Sequence, residues 1–265
     1  MEELLINGGY EMNKMFCFQC EQTAGCTACT GSSGVCGKKA DTAQLQDKLT
    51  GALIGLARAI EGNEELINND TYKLIIEGLF TTVTNVNFNN QRISEYIQNI
   101  ENEKQRFVPN CACCQSSCGR NNNYDMSNLW NADEDIRSLK SLILFGIKGM
   151  AAYAYHAMVL GYTDEEVNRF FYEALFSIGM DDFGMEELLP IVMKVGEINL
   201  KCMALLDKAN TETYGNPVPT EVPLTVEKGP FIVISGHDLY DLKQLLIQTE
   251  GKGINIYTHG EMLPA

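Results

Sequence analysis

Positive charge, proline, histidine and tryptophan are all scarce in this 265-residue chain, and each shortage narrows what it can be. Twenty lysines and arginines stand against 35 acidic residues, a formal charge of -15. That balance excludes a basic face for nucleic-acid phosphates or for an anionic membrane surface; small neutral or cationic ligands fit better. Long apolar runs are also rare. Only Leu142 to Leu160 tempts a transmembrane reading, and it is interrupted by Gly146, Lys148, Gly149 and His156. Such a segment suits a helix buried at the centre of a soluble bundle, with His156 a satisfied core histidine. No positively charged leader with an apolar core precedes the first cysteine, so a disulfide framework is disfavoured and the chain is expected to be cytoplasmic. With 45% hydrophobic residues there is ample material for one large core or two unequal ones.

Cysteine is the residue present in excess. Five of the ten fall in one short run, at Cys17, Cys20, Cys26, Cys29 and Cys36, interleaved with glycines. A Cys-x-x-Cys pair with two further cysteines, on a backbone that glycine lets curl around an inorganic core, is how a chain grips an iron-sulfur cluster. Structural zinc is the rival reading. It is the weaker one, because only five residues separate Cys20 from Cys26, whereas zinc ribbons usually allow ~15 to 20. A second group, Cys111, Cys113, Cys114 and Cys118, takes no assignment: reduced, partly buried thiols stand beside another metal or a redox-sensing pair. Cys202, on an apolar helical face, reads as packing.

Helical periodicity dominates up to residue 212. Leu45, Leu49, Leu53 and Leu56 form one stripe along a helix from Asp41 to Glu61, and helices over 71–87 and 91–107 follow. Asn131 with Glu134 and Thr163 with Glu166 have the spacing of capping boxes opening two more. A last helix starts near Met185, with Pro190 tolerable in its first turns. Roughly six helices are thus expected. Four of the seven prolines then fall between Gly215 and Pro230, which reads as a linker. Phe231 to Ser235 reads as a strand, Leu239 to Thr249 as a helix and Ile254 to Thr258 as a strand, one βαβ unit in all. Two parallel strands cannot bury both their faces, so this second domain reads as cut off soon after it begins.

Three blocks together, Met15 to Lys38, Ala132 to Tyr214, and Gly229 through His237 to Glu261 and Pro264, closely resemble the hybrid-cluster proteins, also called prismane proteins or hydroxylamine reductases. The resemblance implies a mainly α fold: a helical domain of two three-helix bundles, followed by the first βαβ unit of a truncated Rossmann-like α/β domain. The expected divisions are an extension over 1–14, a helical iron-sulfur domain over 15–214, a linker over 215–228 and the incomplete α/β domain over 229–265. Residues Met1 to Glu11 have no counterpart in the resemblance, so translation is expected to begin at Met12 or Met15.

The resemblance also implies two metal centres. Cys17, Cys20, Cys29 and Cys36 match the ligands of a [4Fe-4S] cluster, leaving Cys26 spare. His237 and Glu261, 24 residues apart, match two ligands of the hybrid [4Fe-2O-2S] cluster, whose remaining ligands, chiefly cysteines, lie further along in the family. The ligand set of the hybrid cluster is incomplete in this chain, so a second polypeptide carrying the missing domains is expected, unless the sequence is partial. Residues just past the carboxyl ends of neighbouring parallel strands converge on one crevice, so the two side chains can meet there. Read from the residues alone, His237 is an ordinary loop histidine, Asp238 the N-cap of the next helix, and His259 a surface turn residue and fallback ligand.

The expected function is that of an iron-sulfur oxidoreductase of the hydroxylamine reductase type, taking electrons from a donor protein to a small N-O substrate such as hydroxylamine or nitric oxide. The alternative is a non-catalytic [4Fe-4S] electron-transfer fragment or partner subunit of a split enzyme. A relative of nickel-iron carbon monoxide dehydrogenase fits the motifs less well.

Overall fold

A computed structural model of the protein describes residues 15–20, 27–107, 123–223 and 225–262. Cys26, the Cys111 to Cys118 group and the residues preceding Met15 lie outside that set. The fold is mainly helical with one two-stranded parallel sheet, and it divides into two compact units, Met1–Thr211 and Glu212–Ala265.

Among the described residues of the first unit there are seven α-helices: α1 (Ala40–Ile60), α2 (Asn69–Thr81), α3 (Asn90–Lys104), α4 (Met126–Trp130), α5 (Glu134–Val159), α6 (Glu165–Gly179) and α7 (Met185–Tyr214), the last running three residues past Thr211. The apolar stripe of α1 buries Leu49, Leu53 and Leu56 completely, and the helix packs against α2, α3 and α6, while α5 packs against α2 and α6. The helix not expected from the sequence, α4, is five residues long, too short to show periodicity.

The ends of several helices differ from their expected places, for local reasons. α2 stops at Thr81 rather than 87, with Thr82 as its C-cap bonding back to the Leu79 and Phe80 carbonyls, and Asn85 in the turn that follows adopts a left-handed φ of 66, which the expected helix could not have continued through. Neither expected capping box forms. Asn131 closes α4 instead, and Asp133 occupies the N-cap of α5. Asp164, one residue after Thr163, caps α6 by accepting from the Val167 amide at 3.0 Å. A capping box does form at α2, where Asn68 and Thr71 exchange bonds.

Helix α5 contains the apolar run and is long and apolar enough to cross a membrane by length and composition. It lies instead as a half-buried core helix. Ile143, Leu144, Ile147, Met150 and Ala151 are buried, Leu142 and Val159 are exposed, and Lys140 and Lys148 are both buried. His156 is half-buried, edge-on to Phe80 with ring centroids 5.7 Å apart. Cys202 is fully buried, its thiol 3.5 Å from the Met150 carbonyl and pushed up to about 12 by burial, as packing demands.

Glycine permits two close crossings. A Cβ on Gly51 would fall 2.2 Å from the Tyr124 carbonyl oxygen, where the Tyr124 amide donates to the Gly51 carbonyl at 3.0 Å. One on Gly146 would fall 2.5 Å from Val195 Cγ1, so α5 and α7 meet there without room for a methyl group.

The second unit holds β1 (Phe231–Ser235), α8 (Leu239–Thr249) and β2 (Asn255–His259). The strands pair in parallel from Phe231 with Asn255 to Ser235 with His259. Asp238 caps α8 as expected, accepting from the Tyr240 and Asp241 amides. Among the described residues of this unit only Met262 is buried; Phe231 and Val233 stand exposed on one face of β1.

Gly51→Ala is expected to lower stability by about 1–3 kcal/mol, because the added methyl meets backbone rather than a flexible side chain. Gly149→Ala, on the same kind of helix interior but in open space, is expected to be neutral or to add up to about 1 kcal/mol. Thermal unfolding followed by circular dichroism checks both.

Candidate metal centres

The chain from Met15 to Gln19 is extended, and its side chains alternate as in a strand. Phe16 and Phe18 turn toward Trp130 of α4, with ring centroids 5.2 and 4.9 Å away. Met15 and Cys17 face the other way and pack with Cys29, Ala40 and Ala43. Gln19 belongs to that second side and is buried. Cys17 and Cys29 are tied by a reciprocal pair of backbone bonds, 3.1 and 2.9 Å. Such a hydrogen-bonded antiparallel pair sets the two Cα atoms about 5.5 Å apart with side chains on one face.

Cys20 and Cys36 are half-buried, and all four thiols are free. Cys36 sits in a turn closed by Gly37, with φ 85, whose amide donates to the Gly34 carbonyl at 2.9 Å. A Cβ on Gly34 would lie 3.4 Å from Cys36 Sγ and 3.3 Å from Met15 Cε, so glycine keeps that approach to the sulfur clear. The same turn returns Lys38 to Cys17, with Nζ 3.7 Å from Sγ.

A buried polar chain lies behind the cysteines. Lys148 of α5 donates to Gln19 Oε1, and Gln19 Nε2 donates to Asp47 of α1. All three side chains, and Lys38, are almost fully buried. Burial drives Asp47 up to about 6, against the pull of its bond from Gln19 and of Lys148. It drives Lys148 down to about 7, a shift that Lys38 reinforces and that Asp47, Cys17 and Cys20 oppose. The Cys17 thiol is raised by burial and lowered by Lys38. Lys38, Lys148 and Asp47 thus share one buried region, with Asp125 acting on Asp47 as well, and burial moves both Lys148 and Asp47 toward their neutral forms.

These observations test whether an iron-sulfur cluster fits. Among the described residues no three His, Cys, Asp or Glu side chains are arranged to hold a single metal ion. A cubane is wider than an ion and is gripped at its corners, so its ligands stand further apart. The donor set of free thiols and the buried Lys38 and Lys148 beside them suit an anionic thiolate-bound cluster.

The second candidate pair is in the other unit. The parallel register offsets strand partners by 24 positions, the same separation as His237 from Glu261. Two residues beyond each strand end, those side chains therefore come side by side, His237 Nδ1 3.4 Å from Glu261 Oε2, both well exposed. Gly236 (φ 146) and Gly260 (φ 64) supply the turns that carry the chain past the strands. His259 takes a different direction, with Nδ1 3.3 Å from Ser235 Oγ.

The sequence reasoning brought out the cysteines, His237 and Glu261, but not Gln19, Asp47 or the role of Lys148. A signal existed for Lys148, as a lone charge in the middle of an apolar run. Nothing in the spacing pointed to Gln19.

The helical unit thus carries four free cysteines on one segment, and the strand ends of the other unit present histidine and glutamate, side chains of the kinds that bind iron-sulfur centres. Residues 15–265 match the Prismane/CO dehydrogenase family, and the chain belongs to it. It is 46% identical to a hydroxylamine reductase of Methanocella arvoryzae over 95% of this chain and 50% of that protein. Hydroxylamine reductases of Maridesulfovibrio salexigens and Porphyromonas gingivalis are 45% and 44% identical, over 94% and 95% of the chain. The chain spans about half the length of the curated relatives it matches.

Because both side chains are solvent-exposed, His237→Ala and Glu261→Ala are expected to change stability by no more than about 0.5 kcal/mol. Chemical denaturation checks this, and separates any loss of bound iron in these variants from a loss of fold.

Proposed function

We propose that the chain is the electron-entry and partial reaction-centre portion of an iron-sulfur oxidoreductase of the hydroxylamine reductase type. The observation that carries this reading is the match to the family along residues 15–265, at 44–46% identity to proteins named hydroxylamine reductase. In this reading the helical unit is the family's pair of three-helix bundles, and the strand pair opens a Rossmann-like domain.

Cys17, Cys20, Cys29 and Cys36 hold a [4Fe-4S] cluster, which when bound supplies one-electron transfer. Their thiols bind as thiolates, favoured over the buried neutral forms by the iron and by Lys38 beside Cys17. Phe16, Phe18 and Trp130 shield that side of the segment from water. Cys26 is left over. His237 and Glu261 hold one side of the hybrid [4Fe-2O-2S] cluster, imidazole and carboxylate suiting oxygen-bearing iron. The remaining ligands come from the half of the family's length that this chain does not span, on the same or a second polypeptide. The open position of the pair gives a small N-O substrate access, and a donor protein supplies the electrons, in the cytoplasm.

A second reading is favoured by the exposure of His237 and Glu261 and by the chain's half length: a non-catalytic [4Fe-4S] module or partner subunit. The 265-residue chain purified without oxygen is expected to carry about four irons and four sulfides and to show no hydroxylamine-dependent oxidation of a reduced dye. Co-expression with the second half of a relative is expected to add iron and turnover. Four irons under both conditions, with no turnover, would leave the module reading; no iron in either would end both.

A further inference from the structure

Lys148, Gln19 and Asp47 form a chain that neither the cysteine ligands nor the core requires. Lys148 projects from α5 into a site 4% exposed, and Asp47 projects from α1 into one 7% exposed. Leucine or methionine at either place would have cost nothing in desolvation, so retaining both charges calls for a function. Gln19, which lies between Cys17 and Cys20 in the sequence, bonds to both charges. The ammonium and the carboxylate therefore sit just behind the cysteine segment, and both Cys17 and Cys20 act electrostatically on Lys148.

Resting on the [4Fe-4S] assignment above, we propose that Lys148 and Asp47, linked through Gln19, set the reduction potential of the centre held by the N-terminal cysteines, Lys148 raising it and Asp47 lowering it. The step concerned takes one electron from the donor protein into that centre. No bond forms or breaks; the site becomes more negative by one charge. A buried ammonium favours that extra charge and a buried carboxylate opposes it, and at low dielectric both effects exceed those of surface groups. Gln19 keeps the two charges apart at a fixed separation, its amide nitrogen on Asp47 and its carbonyl oxygen on Lys148, so they do not collapse into a direct pair that would cancel at the cysteines. Lys148 and Asp47 are positioning residues in this account, since neither touches iron.

The test is a potentiometric titration of the full chain, purified without oxygen with its iron, followed by the electron paramagnetic resonance of the reduced centre. Lys148→Met is expected to disfavour reduction by about tenfold, a downward shift of ~59 mV for one electron. Asp47→Asn, which preserves the bond from Gln19, is expected to shift the potential upward. Lys148→Gln retains a donor toward Gln19 and loses only the charge, so it is expected to follow Lys148→Met, and it serves if the methionine variant does not fold. Lys140→Met removes a buried lysine of the same helix that bonds instead to the Met180 carbonyl, and is expected to leave the potential in place. Unshifted potentials in the Lys148 and Asp47 variants, or shifts of the same sign in both, overturn the proposal while the cluster assignment stands. Wild-type chain without iron overturns both.

Discussion

Two lysines and an aspartate buried behind the cysteine segment are the constraint around which this part of the helical unit is arranged. Ions taken from water need partners, and burial moves both Lys148 and Asp47 toward their neutral forms. Their placement depends on most of the unit. α1 must carry Asp47 on the face opposite its leucine stripe, α5 must turn Lys148 inward from an otherwise apolar helix, and the extended segment must insert Gln19 between them. The alternation of that segment settles the rest: Phe16 and Phe18 anchor on Trp130, which fixes Cys17 and Gln19 on the opposite side. Reciprocal backbone bonds then bring Cys29 to Cys17, and the Gly34 to Lys38 turn returns a cation to the thiol.

The second pair of residues is governed by sheet register rather than by buried charge. Parallel strands offset by 24 positions carry His237 and Glu261 to the same point beyond their carboxyl ends. The contrast in surroundings suits the two proposed roles. A centre that only passes electrons gains from low dielectric, where neighbouring charges act strongly. One that binds substrate needs an accessible position, and the strand ends are open to solvent.

Long, strongly patterned elements were legible in the sequence. The Leu45 to Leu56 stripe located α1 within a residue at each end, and the His237 to Glu261 spacing matched the strand register because both are counted along the same two strands. Short-range competition was less legible. Asp164 took the cap that the spacing gave to Thr163, since either side chain can accept from a helix-start amide, and Asp133 rather than Asn131 stands at the start of α5, without a side-chain cap bond. α4 was missed because five residues do not complete two turns. The buried chain was least legible of all. Gln19, Asp47 and Lys148 are distant in sequence, and only the folded arrangement shows that one glutamine joins the other two.

The central claim is that the cysteine segment is organised around an anionic cluster that balances the buried cations. Amide hydrogen exchange of the iron-loaded chain against the iron-stripped chain tests it most directly, read at Cys17 and Cys29. The account predicts slow exchange at both amides with iron bound and markedly faster exchange without it, because loss of the cluster removes the thiolate links between the two cysteines and the negative charge that Lys38 and Lys148 face. Equal protection in the two forms would contradict it.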